Sequence, residues 1–487
     1  MKRITIDPIT RLEGHGKIEI FLTDAGDVEN VYFQVPELRG FEKFCEGRPV
    51  EELSRIVTKI CGVCPGCHHM ASGKAIDGVF GLTPPPTGRK IRELYLMAHY
   101  VHSHIAHFYA LAAPDFVVGP NADPAERNIL GVIAKVGKEV GLEVLKQRRL
   151  AQEIQASLGG HQTHVVLNIP GGVRKGVTEE QRDQFLPIGK GFIEFAKFSL
   201  QLFRDVVLAN NDYVKMILEG PYNLKIHSMG LVDKNNHVNF YEGKIRVVDT
   251  EGKELYKYKP ADYLDYVSER VEPWSYLKIP YLKKIGWKGF VEGQDSGVYH
   301  ATPLSRLNAA DGMSTPLANE AYQEMFKTFG GKPVHATLAM HWARLIELLY
   351  AAEHFTQLIK DPDITGKELR AEPKEIVGEG IGVVEAQRGT LTHHYWTDSR
   401  GLVKKVNIIV GTTNNHAAIC MSLKKAAQHL IRSGVSVDQG ILNQIEMAFR
   451  AYDPCFSCAT HSLPGQMPLI VNFRDPEGNI LRSVKRE

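Results

Sequence analysis

Two cysteine pairs of the form C-x-x-C stand near opposite ends of this chain of 487 residues. Cys61 and Cys64 form the first pair, and Cys455 and Cys458 form the second. Four thiolates can together hold one soft or borderline metal site. If the pairs share such a site, the fold must bring both ends of the chain together, and the residues between them must form its walls.

The residue chemistry leaves three kinds of site open. A structural zinc ribbon uses two such pairs, but it is normally a compact motif whose cysteine pairs lie close together in sequence. A chain of this length can form a large hydrophobic core and does not need a metal to stabilise its fold. Cys67 extends the first pair into the C-x2-C-x2-C run of ferredoxin-type clusters, although residues 68–71 lack the fourth cysteine. The third possibility is a redox metal centre, which the apolar and glycine-rich surroundings of both pairs favour.

Composition and targeting signals narrow the class of protein. The net charge is +2, which implies no strong attraction to nucleic acid or to a membrane surface. The segment after Met1 is strand-like and lacks the apolar core of a signal peptide, and no stretch reaches the ~18 apolar residues of a membrane span. We therefore expect a cytoplasmic protein, in which cysteines serve as metal or redox ligands rather than disulfides.

Hydrophobic periodicity predicts a mainly helical α+β fold, a central bundle of long helices with small peripheral β-sheets. Strand-like alternation over residues 1–35 predicts a β-hairpin or small sheet, and short β-like runs over residues 220–300 predict a smaller α+β insertion. Because the cysteine pairs lie so far apart, we expect residues 1–461 to form one interlocked body. The predicted helices cover residues 88–112, 124–157, 178–218, 316–360, 415–433 and 437–451.

Two of these helices have a distinctive composition. The end of the helix over 316–360 is apolar almost all round, which predicts a buried central helix. The helix over 88–112 carries His99, His102, His104 and His107, for which we expect structural hydrogen bonds rather than metal ligation.

Five motifs in order resemble the catalytic large subunit of nickel–iron hydrogenases, and the likeness runs over residues 3–487. Within that family the chain is most similar to the cytoplasmic, multi-subunit hydrogenases that do not reduce deazaflavin and work beside heterodisulfide reductase. The resembling motifs are Arg11-Leu12-Glu13-Gly14-His15, Arg39-Gly40-Phe41-Glu42, Ile60-Cys61-Gly62-Val63-Cys64-Pro65 with His68, Arg388-Gly389, and Asp453-Pro454-Cys455 with Cys458 and His461.

The resemblance implies a binuclear centre that splits H2 reversibly. It implies that nickel is held by Cys61, Cys64, Cys455 and Cys458. Iron would share Cys64 and Cys458 and carry carbon monoxide and cyanide ligands, which keep it low-spin beside soft thiolates. Glu13 would relay the proton that a terminal thiolate accepts.

Further residues receive roles from the same resemblance. Arg388 matches an arginine above the open site, although Gln387 stands where the family often has proline. Asp115 and Asp453 match carboxylates near that arginine, and Thr412 matches a donor to a second cyanide. Glu42, the carbonyl of Ile408 and His461 match a magnesium site.

The resemblance also implies partners. Electrons would leave through an iron–sulfur small subunit, followed by further electron-transfer subunits, because this chain lacks spare cysteines for a relay of clusters. Residues 462–487 resemble a C-terminal peptide that a maturation endopeptidase removes. Two alternatives stay open: a non-catalytic relative, such as a component of an electron-transfer complex, and a structural zinc protein.

Overall fold

Long helices surrounded by small sheets make up the fold, which confirms the predicted mainly helical α+β class. The computed structural model describes residues 2–7, 9–35, 37, 39–459, 469–474 and 480–486. Its α-helices are α1 (Phe41–Cys45), α2 (Leu53–Ile56), α3 (Pro65–Val79), α4 (Pro86–Ala106), α5 (Ile129–Val136), α6 (Lys138–Gly159), α7 (Glu179–Phe203), α8 (Asn211–Glu219), α9 (Tyr263–Tyr266), α10 (Pro303–Ala309), α11 (Pro316–Thr328), α12 (Met340–Lys360), α13 (Gly411–Asn414), α14 (His416–Leu430), α15 (Gln439–Arg450) and α16 (Phe456–Ala459).

The strands belong to several small sheets rather than to one large sheet. They are β1 (Lys2–Ile6), β2 (Lys17–Leu22), β3 (Val28–Gln34), β4 (Asn168–Ile169), β5 (Gly172–Val173), β6 (His227–Val232), β7 (His237–Val238), β8 (Lys244–Val248), β9 (Glu254–Tyr258), β10 (Val267–Val271), β11 (Lys278–Leu282), β12 (Tyr299–His300), β13 (Gly312–Met313), β14 (Glu379–Ala386), β15 (Gly389–Thr397), β16 (Val403–Ile409), β17 (Leu469–Arg474) and β18 (Ile480–Arg486).

The central helices follow from their sequence signals. α12 is buried along nearly its whole length, which confirms the predicted central helix, and it packs against α4 and α7. α7 begins at a capping box, in which the Thr178 hydroxyl accepts from the Gln181 N–H at 3.1 Å and the Gln181 side chain accepts from the Thr178 N–H at 3.0 Å. α4 begins at Pro86, a favourable first helical residue, and passes into π-helical turns at His107–Ala112 and Pro114–Val118.

The first cysteine pair lies directly before a helix that packs on a strand. α3 packs against β14, where a Cβ on Gly382 would stand 1.9 Å from the carbonyl oxygen of Ala71. No side chain fits at that distance, so glycine is required for this helix–strand approach. β14, β15 and β16 form one antiparallel sheet, and its β14–β15 turn contains Arg388.

The region predicted as an α+β insertion forms a mixed sheet of its own. The strand order is β13-β7-β6-β8-β9, with β12 paired to β6, and β10 and β11 form a separate hairpin. A second apolar cluster joins this sheet to Val383 of β14 and Ile409 of β16.

β17 and β18 pair as a hairpin after the second cysteine pair. None of the described helices has an apolar run long enough to cross a lipid bilayer.

Candidate metal centre

The four cysteines of the two pairs meet inside the protein. Their sulfur atoms all lie within 4.8 Å of one another. The Sγ–Sγ distance is 3.1 Å for each of the pairs Cys61–Cys455, Cys64–Cys458 and Cys455–Cys458. All four residues are at least 96% buried, and none of the chain's seven cysteines forms a disulfide. Four close, reduced, buried sulfurs are the arrangement of a thiolate metal site.

Local structure fixes each sulfur. Cys61 follows a short 3-10 helix, and its sulfur accepts from the N–H groups of Val63 and Cys64 at 3.1 and 3.2 Å. Cys64 precedes α3, which begins at Pro65. The second pair follows α15 through Asp453, whose φ of 52° lies in the left-handed region that few non-glycine residues adopt.

The electrostatics of the cluster favours a bound cation. Burial raises the pKa of the Cys455 and Cys458 thiols well above their ordinary values. At Cys61, hydrogen bonds with the neighbouring thiols outweigh burial and hold the pKa well below its ordinary value. Because like charges this close repel, four thiolates cannot coexist here on their own, whereas a dication at their centre would stabilise all of them.

Glu13 lies directly against the second cysteine pair. Its Oε2 accepts from the Cys455 sulfur at 2.9 Å and from the Ser457 N–H at 3.2 Å, and its carbonyl accepts from the Phe456 N–H at 3.0 Å. Burial and the nearby Cys61 sulfur raise the pKa of Glu13 above its ordinary value. Gly14 permits the contact, because a Cβ there would stand 2.8 Å from the Ser457 nitrogen.

Arg388 occupies the two-residue turn between β14 and β15. Its Nη2 lies 3.0 Å from Oδ2 of Asp453, and its Nη1 donates to the Ser103 hydroxyl at 3.4 Å. The Asn415 side chain donates to the Arg388 carbonyl at 2.7 Å. Gly389 follows at φ 148°, where a Cβ would stand 2.5 Å from the Gly411 carbonyl oxygen. The arginine is therefore held by its backbone as well as by its ion pair.

A closed space with a volume of only about 10 Å³ lies between Arg388 and the cysteines. Its wall is apolar apart from the sulfurs and a few polar groups. The hydroxyl of Thr412 accepts from the Cys455 N–H at 3.0 Å. The lining residues are Cys64, His68, Ala386, Arg388, Leu391, Val410, Gly411, Thr412, Cys455 and Cys458.

Comparison with known proteins decides the family. A model described as nickel-dependent hydrogenase matches residues 39–128 and 136–461, and a model described as HoxL-like matches residues 3–38. The chain belongs to the nickel-dependent hydrogenase family. The resemblance drawn from the motifs is thereby confirmed, and the protein is an oxidoreductase acting on H2, the catalytic component of a hydrogenase.

Individual relatives agree with this membership over nearly the whole hydrogenase chain. It is 49% identical over 485 residues to an iron-sulfur subunit of the F420-non-reducing hydrogenase of Archaeoglobus profundus, with 100% of both chains covered. It is 42% identical to the corresponding subunit of the F420-non-reducing hydrogenase of Methanothermobacter marburgensis, over 99% of this chain and 100% of the relative. A crystal structure of an NAD+-reducing [NiFe]-hydrogenase in the H2-reduced state matches with a TM-score of 0.89 and 37% identity, covering 95% of this chain and all of that chain.

Asp115, expected near Arg388, forms its ion pairs with two other arginines. Among the described residues its carboxylate binds Arg11 at 2.5 Å and Arg450 at 2.6 Å and accepts from Asn443 at 3.1 Å. Burial alone would raise the pKa of Asp115, but the two guanidinium groups hold it below its ordinary value. Asp115 thus joins the loop that contains Glu13 to α15, which leads to Cys455.

The residues expected at a magnesium site lie only partly in the described chain. Oε1 of Glu42 accepts from the Ile408 N–H at 2.8 Å and from the Lys278 ammonium at 3.1 Å. The same ammonium donates to the Asn407 side chain at 2.9 Å. His461, the third expected ligand, lies outside the described residues.

A buried hydrogen-bonded chain leads away from Cys458, and sequence reasoning identified only its first member. Nε2 of His68 lies 3.4 Å from the Cys458 sulfur, and Nδ1 of His68 lies 3.0 Å from Nε2 of His393. His393 Nδ1 lies 2.6 Å from the Tyr395 hydroxyl, which donates to Ser72 at 2.9 Å. The alternation of His393 and Tyr395 on β15, which places both on one face, was the available signal.

The helix histidines are mostly structural, as predicted. His99 contacts the Gln155 side chain at 2.9 Å, His104 contacts Glu347 at 3.1 Å, and His107 contacts the Arg450 carbonyl at 3.0 Å. The third cysteine of the first run, Cys67, is also buried, and its thiol donates to the Gln387 side chain at 3.3 Å.

Proposed function

We propose that this protein cleaves H2 reversibly at a nickel–iron centre held by Cys61, Cys64, Cys455 and Cys458. The observation that carries the proposal is the buried meeting of these four sulfurs with a carboxylate hydrogen-bonded to one of them. Nickel would bind all four sulfurs, and iron would share Cys64 and Cys458. When bound, the centre supplies the heterolytic cleavage of H2. Soft thiolate donors suit both metals.

The closed space beside Cys64 and Cys458 is lined by groups whose chemistry suits small diatomic ligands of the iron. Leu391 and Val410 give it the apolar wall that carbon monoxide needs. Arg388 and Thr412 supply donor groups on its rim, and cyanide is a strong acceptor of hydrogen bonds from such groups. We therefore assign carbon monoxide and cyanide to this space, with Arg388 and Thr412 as the hydrogen-bond donors.

Glu13 is proposed as the group that takes the proton from the centre. Its Oε2 lies 2.9 Å from the Cys455 sulfur, within the range for direct transfer. The S–H bond of Cys455 breaks, an O–H bond forms at Oε2 of Glu13, and the sulfur returns to its thiolate form. Burial favours the protonated carboxyl, because it raises the pKa of Glu13.

Arg388 is proposed to keep a permanent positive charge at the closed space. Although burial disfavours the charge, Asp453 and the cysteine sulfurs hold the pKa of Arg388 well above its ordinary value. Asp453 therefore both orients the guanidinium and compensates its charge. The cation can then attract electron density from a substrate or ligand in the space.

Magnesium is proposed at Glu42, the carbonyl of Ile408 and His461. Carboxylate and carbonyl oxygens suit this ion, which normally keeps several water ligands. The Lys278 ammonium 3.1 Å from Glu42 Oε1 already compensates part of the carboxylate charge, so the site would take up magnesium beside a second cation.

An iron–sulfur small subunit is proposed to dock over the groove outside Cys61. The groove has a volume of about 1100 Å³, and Arg39 on its wall donates to the carbonyls of Ile60 and Lys59 at 2.6 and 3.1 Å. Arg39, Arg55 and Lys59 make its wall basic, which complements an anionic cluster. Phe44, 53% exposed, offers an apolar anchor at its edge.

The remaining partners are proposed from the relatives. Two relatives are F420-non-reducing hydrogenases, and a third, from Cupriavidus necator, is an NAD-reducing hydrogenase. Because similar chains serve different acceptors, we propose that the final acceptor is bound by further electron-transfer subunits. A maturation endopeptidase would remove residues 462–487, within which β17 and β18 form their hairpin. The proposed location is cytoplasmic.

The docking proposal predicts the effect of a charge in the groove. A Phe44→Glu variant should retain about tenfold less small subunit on affinity purification, because it removes apolar area and places a negative charge opposite an anionic cluster. The nickel content should not change. The matched control is Phe198→Glu, since Phe198 is 40% exposed on α7 and lies outside the groove. Full recovery of the small subunit with the Phe44 variant would contradict this docking surface.

Infrared spectroscopy of the anaerobically purified protein tests the metal centre itself. Carbon monoxide and cyanide bound to iron absorb where protein groups do not, so we expect their bands together with stoichiometric nickel. A spectrum without those bands, combined with stoichiometric zinc, would instead support a structural zinc site. Nickel without diatomic bands would retain the cysteine site and reject the ligands assigned to the closed space.

A further inference from the structure

A fully buried arginine lies behind the turn that contains Arg388. Arg306, on α10, donates from Nε and Nη2 to the two carboxylate oxygens of Glu347 at 2.6 and 2.7 Å. Its Nη1 donates to the carboxylate of Glu385 at 3.1 Å. The side chains of all three residues have no exposed surface. The ion pairs keep a charged guanidinium inside the core, where it would otherwise be costly.

The same guanidinium also binds the turn itself. Nη1 donates to the carbonyl of Ala386 at 2.9 Å, and Nη2 donates to the carbonyl of Gln387 at 3.2 Å. These are the two residues directly before Arg388. The five N–H donors of the guanidinium serve two carboxylates and two consecutive carbonyls at once, whereas an ammonium group has only three donors.

The helix α12, which binds Arg306 through Glu347, also fixes the loop that contains Asp453, the acidic partner of Arg388. Arg344 lies one turn before Glu347 on α12, and its Nη2 donates to the Ala451 carbonyl at 2.9 Å, two residues before Asp453. Both loops of the Arg388–Asp453 pair are therefore fixed to α12, one through Arg306 and Glu347 and the other through Arg344. Buried helices are the most rigid supports that a fold offers for such a pair.

We propose that Arg306 is a positioning residue, which sets the place of the Arg388 guanidinium by fixing the two carbonyls before it. The inference rests on the proposed role of Arg388 beside the metal centre. Arg306 acts through the turn and is bound entirely by protein groups, so its effect on turnover should require Arg388 to be present.

An Arg306→Lys variant tests this arrangement. Lysine keeps a cation for Glu347 but releases at least one of the two carbonyls. We expect an unchanged nickel content, a crystal structure in which the Arg388–Asp453 contact is lengthened, and a kcat lower by about 10- to 100-fold, the scale of a misplacement of about 1 Å. An unmoved turn or an unchanged kcat would overturn the inference.

Arg92 provides a matched control. It is equally buried, pairs with Asp77, and donates to the carbonyls of Ile169 and Gly172, which lie outside the metal site. Arg92→Lys should lower the melting temperature, as any disturbed buried ion pair does, but should leave kcat within about twofold of the parent. A comparable loss of kcat in this variant would show that disturbing any buried arginine lowers turnover through a loss of stability. The inference about Arg306 would then fail.

A double-mutant cycle separates positioning from general damage. In an Arg388→Lys background, adding Arg306→Lys should lower kcat by less than about threefold further, because the group that it positions is already gone. Multiplicative losses would overturn the inference and leave the proposed function intact. If Arg388→Lys alone leaves kcat unchanged, the proposed role of Arg388 fails first, so the two failures are distinguishable.

Discussion

A Cys64→Ser variant of the purified protein should lose its nickel and its H2 oxidation together. Cys64 is one of the two sulfurs proposed to be shared by both metals, and its sulfur lies 3.1 Å from that of Cys458, the other. A hydroxyl is a harder and far less acidic ligand than a thiol, so it does not replace a thiolate for nickel or iron. Turnover should fall by about 10³-fold or more, the scale seen when a catalytic unit is lost as a whole.

Elemental analysis and hydrogen uptake with an artificial acceptor measure both effects. Cys420→Ser is the matched control, because Cys420 is also a reduced, buried cysteine on α14 but does not belong to the four-sulfur cluster. It should retain nickel and activity, with at most a loss of stability from a hydroxyl placed in an apolar site. A Cys64 variant that keeps nickel and turns over H2 would remove Cys64 from the proposed centre.

The cysteine pairs could be found from the sequence because a metal site restricts residue type and spacing more tightly than a core does. Their meeting could not be derived locally. It depends on contacts between distant parts of the chain, since α3 packs on β14 while α15 packs on α14 and on the π-helical turn His107–Ala112. Only the resemblance to a family provided that information in advance, and the fold then confirmed the predicted class.

The predicted helix over 88–112 is not regular throughout, and the irregularity lies next to Asp115. The apolar spacing before it predicts one regular helix over 88–112, but α4 ends at Ala106 and two π-helical turns follow. Each π-helical turn adds a residue and rotates the side chains that come after it relative to an α-helix. Asp115 lies within the second of these turns and binds Arg11 and Arg450, and periodicity alone carries no signal of that rotation.

The predicted helix over 124–157 was also wrong in its continuity. Gly137, at φ 98°, separates α5 from α6, since a left-handed backbone ends one helix before the next begins. The glycine was visible in the sequence and indicated a boundary. Hydrogen-bonded partners such as His68 and His393 were not visible in this way, because they are 325 positions apart and become neighbours only in the folded chain.

A Glu13→Gln variant should keep its metals and lose proton transfer. Glutamine has the same shape, and its carbonyl oxygen can still accept from the Ser457 N–H, the contact that Glu13 makes at 3.2 Å. It cannot take up a proton near neutral pH, so the proposed step from the Cys455 sulfur to Oε2 is blocked. Hydrogen–deuterium exchange and H2 oxidation should both fall by about 10²- to 10⁴-fold, the usual contribution of general acid–base catalysis.

Two further variants separate the proton role from the structural role of this loop. Glu93→Gln is the control, since Glu93 is a half-buried carboxylate paired with Arg89 and His354 outside the metal site, and it should exchange at the parent rate. Glu13→Asp retains a titratable carboxyl with a shorter reach, so its exchange rate should lie between those of the parent and of Glu13→Gln. If Glu13→Asp were as slow as Glu13→Gln while Glu93→Gln stayed normal, position rather than protonation would control the rate. If Glu13→Gln exchanged at the parent rate with its nickel in place, the proton would have to leave Cys455 by another route, and the hydrogen bond between them would serve only to hold the two loops together.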